Sequence, residues 1–300
     1  MYKVLFVDDE EHIRSMLLEY FGERYDVGAA CNAAAALEIM ERKSFHLVVS
    51  DISMPGMSAA DFLREVKRLY PKTKRALFTS LNIDEYIALA RQNSISSVIP
   101  KTVPFNFKEM EPVLEGLLTG EVFGVSRYLN YGESASLGGY CVKSSVESPV
   151  VRDKVISGFQ SRFGDTCDMG LILDEILANA VYHAPVKQAT EAQKNDRFAE
   201  VRLKPSEYVY VNTGYDGEKY GVSVLDTQGR LTRDMVLGKM ERHISGDGLL
   251  DGSGRGFHMS RLFTDRMVVN IERNKRTEII LMNYYDSKYR GYKPLYINEI

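Results

Sequence analysis

The first 120 residues alternate short apolar runs with amphipathic stretches five times, and that rhythm leaves little choice of fold. Residues 3–7 read as a buried strand running out in Asp8 and Asp9, and residues 10–22 carry Ile13, Met16, Leu17 and Phe21 at helical spacing. The unit then repeats, with a strand from Tyr25 to Ala30 and a helix over 33–42, and a strand from Phe45 to Ser50 and a helix over 59–70. A strand over 75–78 with a helix over 83–93, and a strand over 95–99 with a helix over 107–118, complete the series. Five such units predict an α/β domain on a doubly wound five-stranded parallel sheet, whose chemistry collects beyond the carboxyl ends of the strands. Four groups fall at those ends: Asp8 with Asp9, Asp51, Thr79 with Ser80, and Lys101. Pro55 and Gly56 turn the chain soon after Asp51, which places this carboxylate on an exposed rim.

Those residue types define a reaction. Three crowded carboxylates repel one another unless a divalent cation neutralises them, and oxygen ligands with open positions suit Mg²⁺. The cation would in turn bind a phosphoryl donor, leaving Asp51 to attack phosphorus as a carboxylate nucleophile. Lys101 would stabilise charge on the transferring oxygens, and the Thr79 hydroxyl would hydrogen-bond the new phosphate.

On these residues, positions 1 to about 119 resemble a response-regulator receiver domain: the pair Asp8 and Asp9, the segment Asp51-Ile-Ser-Met-Pro-Gly56, Thr79 before a small residue, and Lys101 with Pro104 and Phe105 behind it. The resemblance implies that a histidine kinase phosphorylates Asp51. Two departures stand out. Thr102, not proline, follows the lysine, and Val98 stands where many members carry a switching aromatic residue.

Composition narrows the rest. Residues 1–120 hold 14 basic and 17 acidic side chains, and residues 121–300 hold 24 of each. Neither half has the basic excess of a DNA-binding unit, so no direct nucleic-acid contact is expected. Cys31, Cys141 and Cys167 are far apart and lack metal-ligand spacing, which suits a reduced, cytoplasmic protein. The amino terminus reaches Asp8 too soon for a signal peptide, and no apolar run approaches membrane-spanning length, so no membrane partner is expected.

Beyond residue 119 the rhythm changes. Val122, Phe123, Val125, Tyr128 and Leu129 read either as a short amphipathic helix in a connector that transmits phosphorylation state or as a core segment of the second domain. Gly132, Gly138 and Gly139 mark turns after it. Two helices follow, over 149–163 and 168–184, the second presenting Glu175 and Asn179 one turn apart on one face. Strands are expected at 199–204, 207–213 and 219–225, then a mobile polar stretch from Gly229 to Gly252. Gly252-Ser-Gly254-Arg-Gly256 opens a helix and offers backbone N–H groups to phosphate, and strands at 266–273 and 276–284 close the domain.

Residues from about 140 to 285 resemble the GHKL ATPase superfamily, nearest the anti-sigma-factor serine kinases. The resemblance rests on Glu175-Ile-Leu-Ala-Asn179, on Asp226 with Gly229, and on the run from Gly252 to Arg261. It implies an α/β two-layer sandwich in which Asn179 ligates the Mg²⁺ of ATP and Asp226 accepts a hydrogen bond from adenine. Gly229, Gly252, Gly254 and Gly256 would complete the ATP site, with Glu175 as general base. The first glycine motif departs from Asp-x-Gly-x-Gly, since Gln228 and Arg230 occupy both glycine positions.

The chain therefore divides into a receiver over 1–119, a connector over 120–140 and a GHKL ATPase-like domain over 141–300. One reading makes it a two-component response regulator whose phosphorylated Asp51 controls an ATP-dependent protein serine/threonine kinase or partner-switching unit. The alternative is a phosphorylation-controlled protein-binding module with a degenerate, non-catalytic ATPase-like domain. The expected partners are an upstream histidine kinase and a downstream sigma factor or anti-anti-sigma-like protein, with a homodimer left open.

Overall fold

The computed structural model describes residues 1–80, 87, 91, 95, 97–101, 105–130, 136–164, 169–184, 200–244, 255–286 and 293–300. The chain forms two compact units, Met1–Val122 and Phe123–Ile300.

In the first unit, β1 (Lys3–Val7), α1 (Glu11–Phe21), β2 (Asp26–Ala30), α2 (Ala33–Arg42), β3 (Leu47–Asp51), α3 (Ala59–Leu69), β4 (Lys74–Thr79), β5 (Ser97–Pro100) and α4 (Phe107–Thr119) follow in order. The five strands are all parallel, in the order β2-β1-β3-β4-β5. Continuous burial of Val4, Leu5 and Phe6, of Leu47, Val48 and Val49, and of Ala76, Leu77 and Phe78 is what a sheet covered on both faces requires. Side-chain caps start two helices: Asn32 accepts the Ala35 N–H at 2.9 Å and Ser58 accepts the Asp61 N–H at 3.1 Å. The helix expected over 83–93 lies outside the described residues except at Ile87 and Arg91, which are helical. Strand order reverses between β1 and β3, so the carboxyl ends of these neighbours flank the crevice where such sheets place ligands.

The second unit carries β6 (Ser136–Val142), α5 (Glu147–Phe163), α6 (Met169–Ala178), β7 (Val209–Tyr215), β8 (Lys219–Asp226), α7 (Arg233–Ile244), α8 (Arg255–Phe263), β9 (Arg266–Glu272), β10 (Arg276–Tyr284) and β11 (Leu295–Glu299). Its mixed six-stranded sheet runs β11-β9-β10-β8-β7-β6, with β11 parallel to β9 and the other pairs antiparallel. Strand alternation gives the sheet two faces. On one, Tyr220 meets Phe159 of α5 edge-on at 5.7 Å, and Val224, Asp226, Thr277 and Ile279 share a pocket with α6, α7 and α8. On the other, Arg266, Asn270, Glu278 and Asn298 are buried under the segment Phe123–Asn130.

Several sequence expectations are corrected here. Residues 200–204 form no strand: Arg202 makes a single bridge to Ser144, and Pro205, which has no N–H to extend a ladder, opens a short 3₁₀ turn. Gly138 and Gly139 lie inside β6, paired with Thr213 and Asn212, and do not turn the chain. The stretch read as polar after Gly229 contains α7, started by the Thr232 hydroxyl accepting the Met235 N–H and held by buried Val236, Leu237 and Met240. Strand β11 was not anticipated. The amphipathic segment at 121–129 makes only one 3₁₀ turn, Val125–Tyr128, because Gly124 sits at a φ of +104°, which a right-handed helix cannot contain. The helix read as continuous over 168–184 changes hydrogen-bond period after Ala178. Ala184 N–H donates to the Asn179 carbonyl five residues back at 3.1 Å, making a π turn over Asn179–His183. Among the described residues, no helix is long and apolar enough to cross a membrane.

Candidate functional site

Strands β1, β3 and β5 bring together residues that lie far apart in the sequence. Asp8 follows β1, Asp51 ends β3, and Lys101 follows β5 with its backbone N–H donated to the Thr79 carbonyl at 2.6 Å. Lys101 Nζ lies 2.8 Å from Asp8 Oδ2, 3.0 Å from Asp51 Oδ2 and 3.6 Å from Glu10 Oε1. Asp8, Asp9 and Asp51 can each offer one carboxylate oxygen within 4.8 Å of the others. Thr79 closes β4, which is paired with β3, and is buried.

Asp51 does not sit on an exposed rim: it is 4% exposed, because it remains in register with Phe78 of β4 and lies under the Lys101 ammonium. Its Oδ1 accepts the Ile52 N–H at 2.7 Å, which fixes the carboxylate plane. Asp8 is fully buried, with Oδ1 accepting the Glu10 N–H at 3.0 Å. Burial is the largest influence on Asp8 and pushes its carboxyl upward, although Lys101 pulls the other way. Burial also works hardest against charge on Lys101, yet the hydrogen bonds to Asp8 and Asp51 together prevail and hold this ammonium above its usual value. Arg14 braces the loop from outside, donating to the Asp8 and Asp9 carbonyls at 2.8 Å each.

The donor set fits a hard divalent cation. Beyond the 2.8 Å ion contact with Lys101, Asp8 Oδ2 receives no well-aligned hydrogen bond among the described residues, so a buried anionic oxygen retains acceptor capacity beside two further carboxylates.

The receiver-domain family, described as "Response regulator receiver domain", matches residues 4–113. A probable chemotaxis protein CheY of Rhizobium etli is 34% identical over 121 residues, which are 38% of this chain and 91% of that protein. The chain belongs to the response regulators. The response regulator protein FleR of Pseudomonas aeruginosa is 30% identical over 99 residues, 32% of this response regulator and 21% of FleR. The solved structure of the response regulator protein TrrA of Thermotoga maritima, in complex with Mg(2+)-BeF, is 31% identical, with 39% of this chain and 100% of that one covered and a TM-score of 0.36. Receiver domains bind Mg²⁺ through acidic residues and interact with histidine kinases and downstream partners, and in this response regulator the acidic cluster is Asp8, Asp9 and Asp51.

The second unit holds a separate pocket, lined mainly by apolar side chains, among them Ile176, Val224, Leu231, Met235, Phe257 and Ile279. Two residues singled out from the sequence, Asn179 and Asp226, line it together. Asp226 Oδ1 accepts the N–H groups of Gln228 at 2.9 Å and Gly229 at 3.1 Å. Burial nonetheless pushes the Asp226 carboxyl up. Glu175 lies one helical turn before Asn179 and does not line the pocket, though its charge acts on Lys239, which does. Gly256 lies in the first turn of α8, whereas Gly252 and Gly254 lie outside the described residues.

Three lining residues escaped assignment to the site from sequence. Thr277 is the register partner of Asp226, and its buried hydroxyl lowers that carboxyl without making a well-aligned hydrogen bond. Lys239 has an ammonium that burial pushes below its usual value, and its Nζ stands 5.6 Å from the Phe257 ring centroid. Arg230 was noted as a departure from the glycine pattern, and here its side chain lines the cavity. A threonine cap at Thr232 followed by spaced apolar residues is the signal that could have found α7, and with it Lys239.

Proposed function

We propose that this response regulator accepts a phosphoryl group on Asp51 and thereby controls an ATP-binding second unit of the GHKL type. In the first step an Asp51 carboxylate oxygen attacks phosphorus, the bond from phosphorus to the donor histidine nitrogen breaks, and an acyl phosphate forms. Mg²⁺ held by Asp8, Asp9 and Asp51 would supply charge neutralisation at the transferring oxygens. Lys101, already 3.0 Å from Asp51 Oδ2, follows the added negative charge, and Thr79 offers its hydroxyl to it.

The observation that carries the output half of this reading is the convergence of Asn179, Asp226 and Thr277 on one largely apolar cavity. A planar base fits between apolar walls while Asp226 and Thr277 address its polar edge, and Arg230 and Lys239 offer cationic contacts. Asn179 would then ligate the nucleotide's metal and Glu175 activate an acceptor hydroxyl, with Gly229 orienting the Asp226 carboxylate and the glycines at 252, 254 and 256 holding the phosphates. The downstream activity is protein serine/threonine phosphorylation or partner switching on a sigma-factor or anti-anti-sigma-like protein, in the cytoplasm. Gln228 and Arg230 in the glycine positions favour a second reading, in which this unit binds its partner without catalysis.

Two measurements test the halves separately. A small phosphodonor with Mg²⁺ should label the wild type but not Asp51→Ala, and equal labelling removes the Asp51 assignment. Calorimetric titration with Mg-ATP should show binding that Asn179→Ala weakens at least about tenfold, roughly the loss of one good charge-assisted contact. A flat wild-type trace would refute the nucleotide pocket.

A further inference from the structure

Segment Phe123–Asn130 is strapped to the sheet face opposite the pocket by contacts along its whole length. The Phe123 ring stacks with Arg276 of β10, the guanidinium carbon standing 3.9 Å from the ring centroid. Gly124 N–H donates to Glu278 Oε2 at 2.8 Å. Val125 sits where β8 carries Gly221, so close that a Cβ on that glycine would stand 2.7 Å from Val125 Cγ2. The Arg266 guanidinium carbon stands 5.3 Å from the Tyr128 ring centroid and 4.6 Å from that of Tyr296. Asn130 ends the strap with its N–H on Asp216 Oδ2 at 2.6 Å and its side-chain amide on Glu218 at 3.2 Å.

Strand β10 is common to both faces. Thr277 looks into the pocket beside its register partner Asp226, and the next residue, Glu278, looks the other way and holds the strap. Glu278 also accepts from Asn270 Nδ2 at 3.1 Å, tying β9 to the same anchor. A shift of the strap therefore has to move either a buried carboxylate or the strand that carries Thr277. Close-packed interiors transmit such a displacement.

We propose that Glu278 is a positioning residue for the pocket: strap docking on one face of β10 sets the Thr277–Asp226 floor on the other, so strap and pocket ligand stabilise each other. This rests on the reading of the pocket as a nucleotide site and adds the element that regulates it. Linkage makes the effect reciprocal, because if a docked strap favours ligand, ligand favours the docked strap by the same factor.

The test uses the full chain and Mg-ATP. In hydrogen exchange, Mg-ATP should slow amide exchange in residues 123–130, although these lie across the sheet from the pocket. In calorimetry, Glu278→Ala should weaken Mg-ATP at least about fivefold, a loss within the usual range for coupled sites. Glu278→Gln keeps an acceptor for Gly124 and should stay within about twofold of wild type. Phe123→Leu removes the Arg276 stacking without burying a new polar group, so it reports on the strap even if Glu278→Ala fails to fold. Wild-type binding with unchanged strap exchange and an unchanged Phe123→Leu affinity would overturn the coupling and leave the pocket standing. No wild-type binding would overturn both.

Discussion

Gly229 donates its N–H to Asp226 Oδ1 at 3.1 Å, and in that position it has no room for a side chain. A Cβ would stand 2.3 Å from the Glu272 carbonyl oxygen and 2.6 Å from the Lys275 and Arg276 amides, at a φ of +59°. The turn after β8 is thus wedged against the β9–β10 turn, and all the opposing atoms are backbone. Gly229→Ala is expected to lower the stability of the second unit by at least about 2 kcal/mol, from left-handed strain and overpacking together. Thermal unfolding followed by circular dichroism measures it, and an unchanged midpoint would contradict the packing described.

Lys101 holds two buried carboxylates at once, and its removal should separate metal binding from phosphoryl transfer. Lys101→Met takes a positive charge away from Asp8 and Asp51, so Mg²⁺ affinity should rise by a few fold. Labelling of Asp51 by a small phosphodonor should fall by roughly 100-fold, the usual scale for loss of one preorganised charge. Calorimetry with Mg²⁺ and a labelling time course read the two effects, and a parallel fall in both would show Lys101 to be structural.

Burial drives Glu278 above its ordinary 4.5, against the hydrogen bonds from Gly124 and Asn270 that pull it down. A carboxyl raised on folding contributes its stability fully below its unfolded value and loses it as pH climbs through the folded value. Stability of the second unit should therefore decline from about pH 5 upward by an amount that Glu278→Gln, neutral throughout, does not show. Denaturant midpoints of the two proteins across about pH 5 to 8 decide the matter. Parallel profiles would exclude an ionisation at this position.

The first unit was readable because the central strands are apolar runs that give way to functional residues: Val4 to Val7 before Asp8, Ala76 to Phe78 before Thr79, and Leu47 to Val49 with one serine before Asp51. The second unit hid its edges. Strand β6 lies at the edge of the sheet, paired with β7 alone among the described residues, and carries Gly138 and Gly139, so its composition imitates a turn. Asn179 was singled out by helix spacing and Asp226 by the resemblance to the GHKL superfamily, but Thr277 becomes part of the site only through antiparallel register with Asp226. The strap was out of reach for the same reason, since Gly124 and Glu278 are 154 residues apart and nothing local to either announces the other.

The π turn at Asn179–His183 sets helix regularity against position. Dropping one residue between 180 and 183 would let the Ala184 N–H close on the same Asn179 carbonyl as an ordinary α turn, so Ala184 would keep its place on the pocket wall while the bulge beside it vanished. Such a deletion is expected to give a more regular helix with a reshaped wall, and it marks the place where thermal robustness and ligand affinity can be exchanged for each other by a single codon.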